Sequence, residues 1–90
     1  LRLLIGLLAR FLPGVRVWVF GSRLSEKSRA SSDLDLTVFT EPGQTRSVNE
    51  LREALEESSL PFIVDLHEWN DLPDAMRRQI ESSYVDLADV

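Results

Sequence analysis

The sequence contains no cysteine among its 90 residues. This absence excludes a disulfide-stapled scaffold and any metal site built on thiolates. A bound metal would therefore be held by oxygen ligands or by His67, which is the only histidine in the chain. Oxygen ligands favour hard cations such as Mg²⁺ or Mn²⁺ over structural zinc.

Basic residues are also scarce, since 10 Lys and Arg face 15 Asp and Glu and the formal net charge is −5. Proteins that bind nucleic acid usually present a basic face, because neutralising phosphates supplies much of their affinity. We therefore do not expect polymeric nucleic acid as the main partner. A small nucleotide held through metal ions remains compatible with this charge.

Long apolar runs are missing as well. The leucine-rich stretch 1–8 is followed by Arg10 and by Pro13 and Gly14, and it is far shorter than the roughly 20 apolar residues of a membrane span. It also lacks the small-residue cleavage pattern of a signal peptide. We expect one domain over residues 1–90, in a cytoplasmic protein without membrane contact.

The order of predicted elements is helix, strand, strand, helix, strand, helix. Apolar residues at helical spacing over 3–12 predict the first helix, and β-branched or alternating runs predict strands at 15–20, 33–38 and 60–69. A capping-box pattern begins the second helix at Ser47, and Asn70 or Asp71 is expected to cap the last one. Residues 84–87 form a short strand or lie along the surface. This alternation is typical of an α/β sheet covered by helices.

Three aspartates lie on two of the predicted strands. Asp33 and Asp35 are separated by one residue, so their side chains project to the same face while Leu34 and Leu36 enter the core. Two carboxylates this close repel each other unless a cation holds them, and a pair of divalent ions would relieve that repulsion. Asp65 stands in the same way in the third strand, between Val64 and Leu66. If the two strands are neighbours, all three carboxylates converge.

A short glycine-containing turn follows the first predicted strand. Gly21 permits close approach of the backbone to a ligand, and the Ser22 hydroxyl and nearby N–H groups can face phosphate oxygens. Arg23 could add a charge-assisted contact to the same phosphates. With the carboxylates, these residues predict a site for phosphoryl-type transfer on a nucleoside triphosphate.

The residues Gly21, Ser22 and Arg23, followed by Ser32, Asp33, Leu34 and Asp35, resemble the G-S-x(n)-D-x-D pattern of the DNA polymerase β nucleotidyltransferase superfamily. The short chain is similar to the minimal nucleotidyltransferase branch, many of whose members are antitoxins paired with HEPN-domain toxins. The resemblance extends from the first helix to the last, and it implies a small mixed β-sheet covered by helices.

The resemblance also implies an activity, a site and a partner. The enzyme would move a nucleoside monophosphate, AMP from ATP, to a tyrosine hydroxyl of a separate helical HEPN-type protein. Asp33, Asp35 and Asp65 would be catalytic and would bind two Mg²⁺ ions, with Mn²⁺ as the alternative. Gly21, Ser22, Arg23 and Ser32 would bind the nucleotide. Homo-oligomers and hetero-oligomers both stay open.

One residue departs from the family pattern. Glu26 stands where the family loop commonly has a second glycine, and glutamate does not adopt positive φ without cost. The departure concerns the phosphate loop and leaves the three aspartates unchanged.

Two other functions are consistent with parts of the sequence. The chain could be a non-catalytic antitoxin that neutralises a helical partner by covering its surface, although such a role makes no demand on three convergent carboxylates. An aminoglycoside-type nucleotidyltransferase would need a substrate-binding extension. His67 shares the predicted face of Asp65 and could reach the site, but we expect it to be structural or solvent-facing. We expect Trp18 and Trp69 to pack in the core rather than to stack on a nucleobase.

Overall fold

A computed structural model describes residues 2–20, 34–60 and 63–89 of the chain. In this described part the helices are α1 (Arg2–Phe11), α2 (Thr45–Glu57) and α3 (Asp74–Ser82). The strands are β1 (Val17–Phe20), β2 (Leu34–Val38), β3 (Val64–Glu68) and β4 (Val85–Asp86). The predicted order is confirmed, and the short strand at 84–87 is β4. Within the described ranges no helix has the length and apolar character needed to cross a bilayer.

The strands form one mixed sheet in the order β3–β2–β1–β4. β1 runs antiparallel to both β2 and β4, whereas β2 and β3 are parallel, with α2 in the connection between them. The predicted fold class, a small mixed sheet covered by helices, is confirmed. β2 therefore has a strand on each side, and β3 lies at an edge.

Helices α1 and α2 cover one face of the sheet. Leu4 and Leu8 of α1 and Val48 and Leu51 of α2 are buried, because residues three or four apart share one side of a helix. Gly14 follows α1 with φ of 75°, in the left-handed region that residues with a Cβ avoid. The rest of this core comes from alternate strand residues and from the residues that directly follow α1 and β4: Leu12, Val17, Val19, Leu34, Leu36, Val38, Leu66 and Leu87.

Aromatic residues and α3 cover much of the opposite face. The Trp18 ring stacks on Tyr84 with ring centroids 3.7 Å apart and meets Trp69 edge-on at 5.5 Å. Phe20 and Ile80 belong to the small buried cluster against which both tryptophans pack. Trp18 and Trp69 therefore pack against buried residues, as expected, but they are only half-buried themselves.

Two predicted helix starts are wrong. α2 begins at Thr45, so Ser47 lies inside it. A 3₁₀ turn over Pro42–Gln44 leads directly into the helix. α3 begins at Asp74 after Pro73, and neither Asn70 nor Asp71 caps it. Asn70 instead donates from Nδ2 to the carbonyl of Thr40 at 3.2 Å, so a tertiary contact has replaced the local cap.

Strand β2 and the residues after it bury two threonine hydroxyls in different environments. Thr37 is fully buried between Trp18 and His67 in the strand register, and its Oγ1 has no hydrogen-bond partner within the described residues. Thr40 is also buried, but its hydroxyl donates to Oε1 of Glu68 at 2.8 Å. A buried polar group without a partner costs free energy, whereas a partnered one stabilises the fold.

We expect Thr37→Val to raise the free energy of unfolding by about 1 kcal/mol, because it replaces an unpaired buried hydroxyl by a methyl group of the same shape. The matched variant Thr40→Val should lower it by about 1 kcal/mol, because it removes the donor to Glu68. Urea unfolding at constant m-value measures both. Equal destabilisation by the two variants would show that the Thr37 hydroxyl has a partner in the folded chain.

Candidate active site

Asp35 and Asp65 stand directly opposite each other on the neighbouring parallel strands β2 and β3. Adjacent strands lie about 4.8 Å apart, and residues in register project to the same face of the sheet. Both carboxylates thus leave the sheet on the face opposite α1 and α2, while their neighbours Leu34, Leu36 and Leu66 are buried against those helices. The predicted convergence of these two carboxylates is confirmed, and their roles stay a prediction.

The two carboxylates have different exposure. Asp35 lies on a strand that is paired on both sides, and its side chain is 27% exposed. Asp65 lies on the edge strand and is exposed. Phe20 of β1 is buried opposite Asp35 in the strand register. The pair therefore has one partly buried member and one member that is exposed to a ligand or partner.

His67 lies beside this pair of carboxylates, although the sequence favoured a structural or solvent-facing role for it. Its Nε2 is 4.0 Å from Oδ1 of Asp35, and its side chain is 34% exposed. Its ring also lies 5.8 Å from that of Phe20, between centroids. The period-2 alternation that placed His67 on the same face as Asp65 was the signal for this position. Its distance from Asp35 follows only once β2 and β3 are known to pair in this register.

The remaining predicted site residues, Gly21, Ser22, Arg23, Ser32 and Asp33, lie outside the described residues, as does Glu26. In the chain they follow Phe20, the end of β1, and precede Leu34, the start of β2. The Leu34 N–H donates to the carbonyl of Ile63 at 2.8 Å. The structure therefore fixes the residue that follows Asp33, without describing Asp33 itself.

The potential ligand atoms in the described residues are of the kind that binds hard divalent cations. They include carboxylate oxygens from Asp35 and Asp65 on one face, which is the ligand chemistry that Mg²⁺ and Mn²⁺ prefer. The described ranges alone hold no cluster of three or more candidate ligands. Asp33, the third predicted ligand, is one of the residues outside those ranges.

A groove of about 640 Å³ runs along the outer edge of β3. Asp65 and His67 border it on the side of the carboxylate pair, and Leu55 and Glu56 of α2 border it on the other side. Arg52 of α2, another lining residue, donates through one guanidinium nitrogen to the carbonyl of Leu66 at 2.9 Å and through the other to Oδ1 of Asn49 at 2.9 Å. The sequence interpretation did not single out Arg52, because nothing in the helical pattern shows which strand a solvent-side arginine will reach.

Known proteins resemble this chain across nearly all of its length. The family described as "Polymerase beta, Nucleotidyltransferase" matches residues 9–88. The probable protein adenylyltransferase MntA of Haemophilus influenzae is 39% identical over 80 residues, which cover 88% of this chain and 70% of that protein. A crystal structure of a toxin-antitoxin with AMP-PNP superposes with a TM-score of 0.65 at 25% identity, over 92% of this chain and 68% of the other. The resemblance predicted from the glycine-serine and paired-aspartate motifs is confirmed.

Proposed function

This chain belongs to the polymerase β nucleotidyltransferase family, and we propose that it transfers AMP from ATP to a hydroxyl group of a partner protein. The observation that carries the proposal is the register pair of Asp35 and Asp65 on neighbouring parallel strands. The choice of adenine and of a protein acceptor is supported by the similarity to a probable protein adenylyltransferase and to a structure with AMP-PNP.

The proposed reaction is a substitution at the α-phosphorus of ATP. The acceptor oxygen forms a bond to this phosphorus, the bond to the β-phosphate oxygen breaks, and pyrophosphate leaves. The proton of the acceptor hydroxyl passes to the carboxylate of Asp65, which then releases it to solvent. Asp65 suits this role because it is the exposed member of the pair, at the edge from which an acceptor can approach.

Asp33, Asp35 and Asp65 would hold the divalent cations, with two Mg²⁺ ions as the proposed set and Mn²⁺ as the substitute. Cations bound there would offset the charge of the phosphates and of the leaving pyrophosphate. The chain's own contribution is to hold Asp35 in the centre of the sheet, where strand pairing on both sides fixes its position. A nearly fixed carboxylate loses little freedom when a ligand binds.

Gly21, Ser22, Arg23 and Ser32 would bind the triphosphate. The proposal rests on their place in the chain, since this segment joins the end of β1 to the start of β2. Phe20 and Asp35, at those two ends, face each other in the strand register. The described residues at both ends of this segment therefore lie beside the carboxylate pair.

The proposed acceptor is a tyrosine of a separate helical protein of the HEPN type, so that the chain would act as an antitoxin in the cytoplasm. The similarity to a toxin-antitoxin structure supports a toxin partner. The described helices already cover the sheet, and the groove beside Asp65 is left open. A second protein could therefore reach Asp65 without displacing a helix.

The proposed reaction predicts transfer of AMP when the chain is mixed with labelled ATP, Mg²⁺ and the co-purified partner. Asp35→Asn should lower the rate at least about 100-fold, because it removes the enclosed carboxylate of the site. Glu53→Gln, on the exposed side of α2, removes a negative charge away from the site and should leave the rate unchanged. Mass spectrometry of the partner reports both the reaction and the modified residue.

Absence of transfer by the parent chain, together with identical behaviour of Asp35→Asn, would refute the enzymatic proposal. Neutralisation of the toxin then becomes the deciding measurement. If Asp33→Ala still neutralises the partner as well as the parent does, the chain acts by steric binding.

The proposed metal site predicts a change that does not depend on catalysis. Asp65→Asn should weaken Mn²⁺ binding in the presence of AMP-PNP by at least about 10-fold, since it replaces a charged ligand. The fold should be retained because Asp65 is exposed. Electron paramagnetic resonance of free Mn²⁺ measures the affinity, with Glu53→Gln as the charge-matched control. Equal affinities in the parent and both variants would remove Asp65 from the ligand set.

A further inference from the structure

The outer edge of β3 directs backbone N–H and C=O groups toward the groove. The carbonyl of Ile63 accepts from Leu34 of β2, and successive residues of a strand direct their N–H and C=O groups to opposite sides. The backbone groups of Val64 and Leu66 therefore point away from β2. The bond from Arg52 of α2 to the carbonyl of Leu66 agrees with this direction.

Natural sheets commonly protect their edges with charged side chains, proline or a covering element, and β3 itself carries the charges of Asp65 and Glu68. Within the described residues, the recorded hydrogen bond at the outer edge is the one from Arg52 to Leu66. Ile63, at the start of the strand, is 65% exposed. Leu55 and Leu60 add further apolar surface to the same groove. The groove therefore combines free backbone groups with apolar walls.

We propose that this groove binds an extended segment of the acceptor protein, which adds to the sheet as a strand beside β3. This proposal rests on the proposed function, because it assigns the position of the acceptor in that same reaction. Strand addition uses the outward N–H and C=O groups of Val64 and the N–H of Leu66, and the alternation of side chains then sets the specificity. The residue that lies opposite Asp65 would project to the face of the carboxylate pair, about 4.8 Å from the β3 backbone.

Alternation also predicts the residues around the acceptor. The neighbours of the acceptor residue would lie opposite Val64 and Leu66 and project to the other face, where Leu55 and Leu60 line the groove. The expected substrate segment thus has a hydroxyl-bearing residue between two apolar residues, in an extended conformation.

The charges of the groove disfavour a second copy of this chain as the occupant. Asp65 and Glu56 both line it, and pairing of β3 with the β3 of another copy would bring the two sets of carboxylates together. Like charges opposite each other across strands are destabilising. An acceptor segment with uncharged side chains has no such penalty, and the groove is continuous with the carboxylate pair through Asp65.

The test uses an acetylated five-residue peptide with tyrosine at the centre, a leucine on each side and glutamine at both ends. Two further versions carry N-methyl groups, either on the tyrosine nitrogen or on both leucine nitrogens. Only one of these alternating sets can face β3, so one version should lose about tenfold in affinity and the other should bind like the parent peptide. Loss with methylated leucines indicates antiparallel addition, and loss with methylated tyrosine indicates parallel addition. Equal affinities of all three peptides would overturn strand addition.

Binding is measured from the backbone ¹⁵N–¹H signals of Val64 and Leu66, without ATP, so that it does not depend on catalysis. Ile63→Asp, in the groove, should lower peptide affinity about tenfold, because Ile63 shares the face of Asp65 and the change replaces apolar surface beside the tyrosine ring by a charge. Ile5→Asp is the matched control, since Ile5 is an exposed isoleucine of α1 outside the groove, and it should bind the peptide as the parent does. Unchanged affinity in Ile63→Asp would also overturn the proposal.

Transfer of AMP to the partner protein separates this proposal from the proposed function. If the parent transfers AMP and Ile63→Asp does so with unchanged kcat/KM, the reaction stands and the groove is not the acceptor site. If the parent transfers nothing while the peptide binds at Val64 and Leu66 with the expected methylation pattern, the edge binds extended segments and the reaction is wrong.

Discussion

The parallel pairing of β2 with β3 is the constraint on which the site depends. It sets Asp35 opposite Asp65, and at the same time Leu36 opposite Leu66. Because side chains alternate, a slip by one residue would move Asp65 into the apolar face against α2 and expose Leu66. Burial of an unpaired carboxylate and loss of the leucine contacts would both oppose that slip. The apolar residues of the two strands therefore determine where the carboxylates stand.

Contacts outside the sheet hold the same register. Arg52 joins α2 to the carbonyl of Leu66, and the Thr40 hydroxyl joins the chain after β2 to the Glu68 side chain at the end of β3. Both bonds lie beyond the pair, toward the C-terminal ends of the strands; one comes from the crossover helix and the other from the chain after β2. Two like charges on adjacent strands repel each other in the absence of a ligand. The register persists despite this repulsion between Asp35 and Asp65, because apolar packing and these side-chain bonds stabilise it independently of the carboxylates.

The sequence predicts what depends on local periodicity. The span of α1, the alternation around Asp35 and that around Asp65 are all visible in the order of apolar and polar residues, and the structure has them. The helix starts at Ser47 and Asn70 were predicted wrongly because a local capping pattern competes with tertiary contacts. The 3₁₀ turn before Thr45 leaves Ser47 inside the helix, and Asn70 bonds to Thr40, which is 30 residues away.

A single sequence does not show the order of the strands in the sheet. It also does not show which residues other elements bring to the site. His67 shares a face with Asp65 by alternation, but its 4.0 Å distance from Asp35 requires the pairing of two strands that are separated by a helix. Arg52 is spaced like any outward residue of α2, and only the position of α2 over the sheet brings it to Leu66. The predicted phosphate-binding residues, from Gly21 to Asp33, lie outside the described residues, so their roles stay predictions from the sequence.

The two carboxylates can be approached from different sides, because Asp35 lies on an inner strand and Asp65 on an edge strand. Asp35 is carried by a strand with neighbours on both sides, so it is held firmly and is reached only from the face of the sheet. Asp65 is carried by the edge strand, so it can be reached from the face and also from the groove beside it. A transfer between two substrates needs both kinds of access, since donor and acceptor must meet without occupying the same space. β1 ends and β2 begins beside Asp35, whereas the groove opens beside Asp65. These are the sides to which we assign the nucleotide and the acceptor.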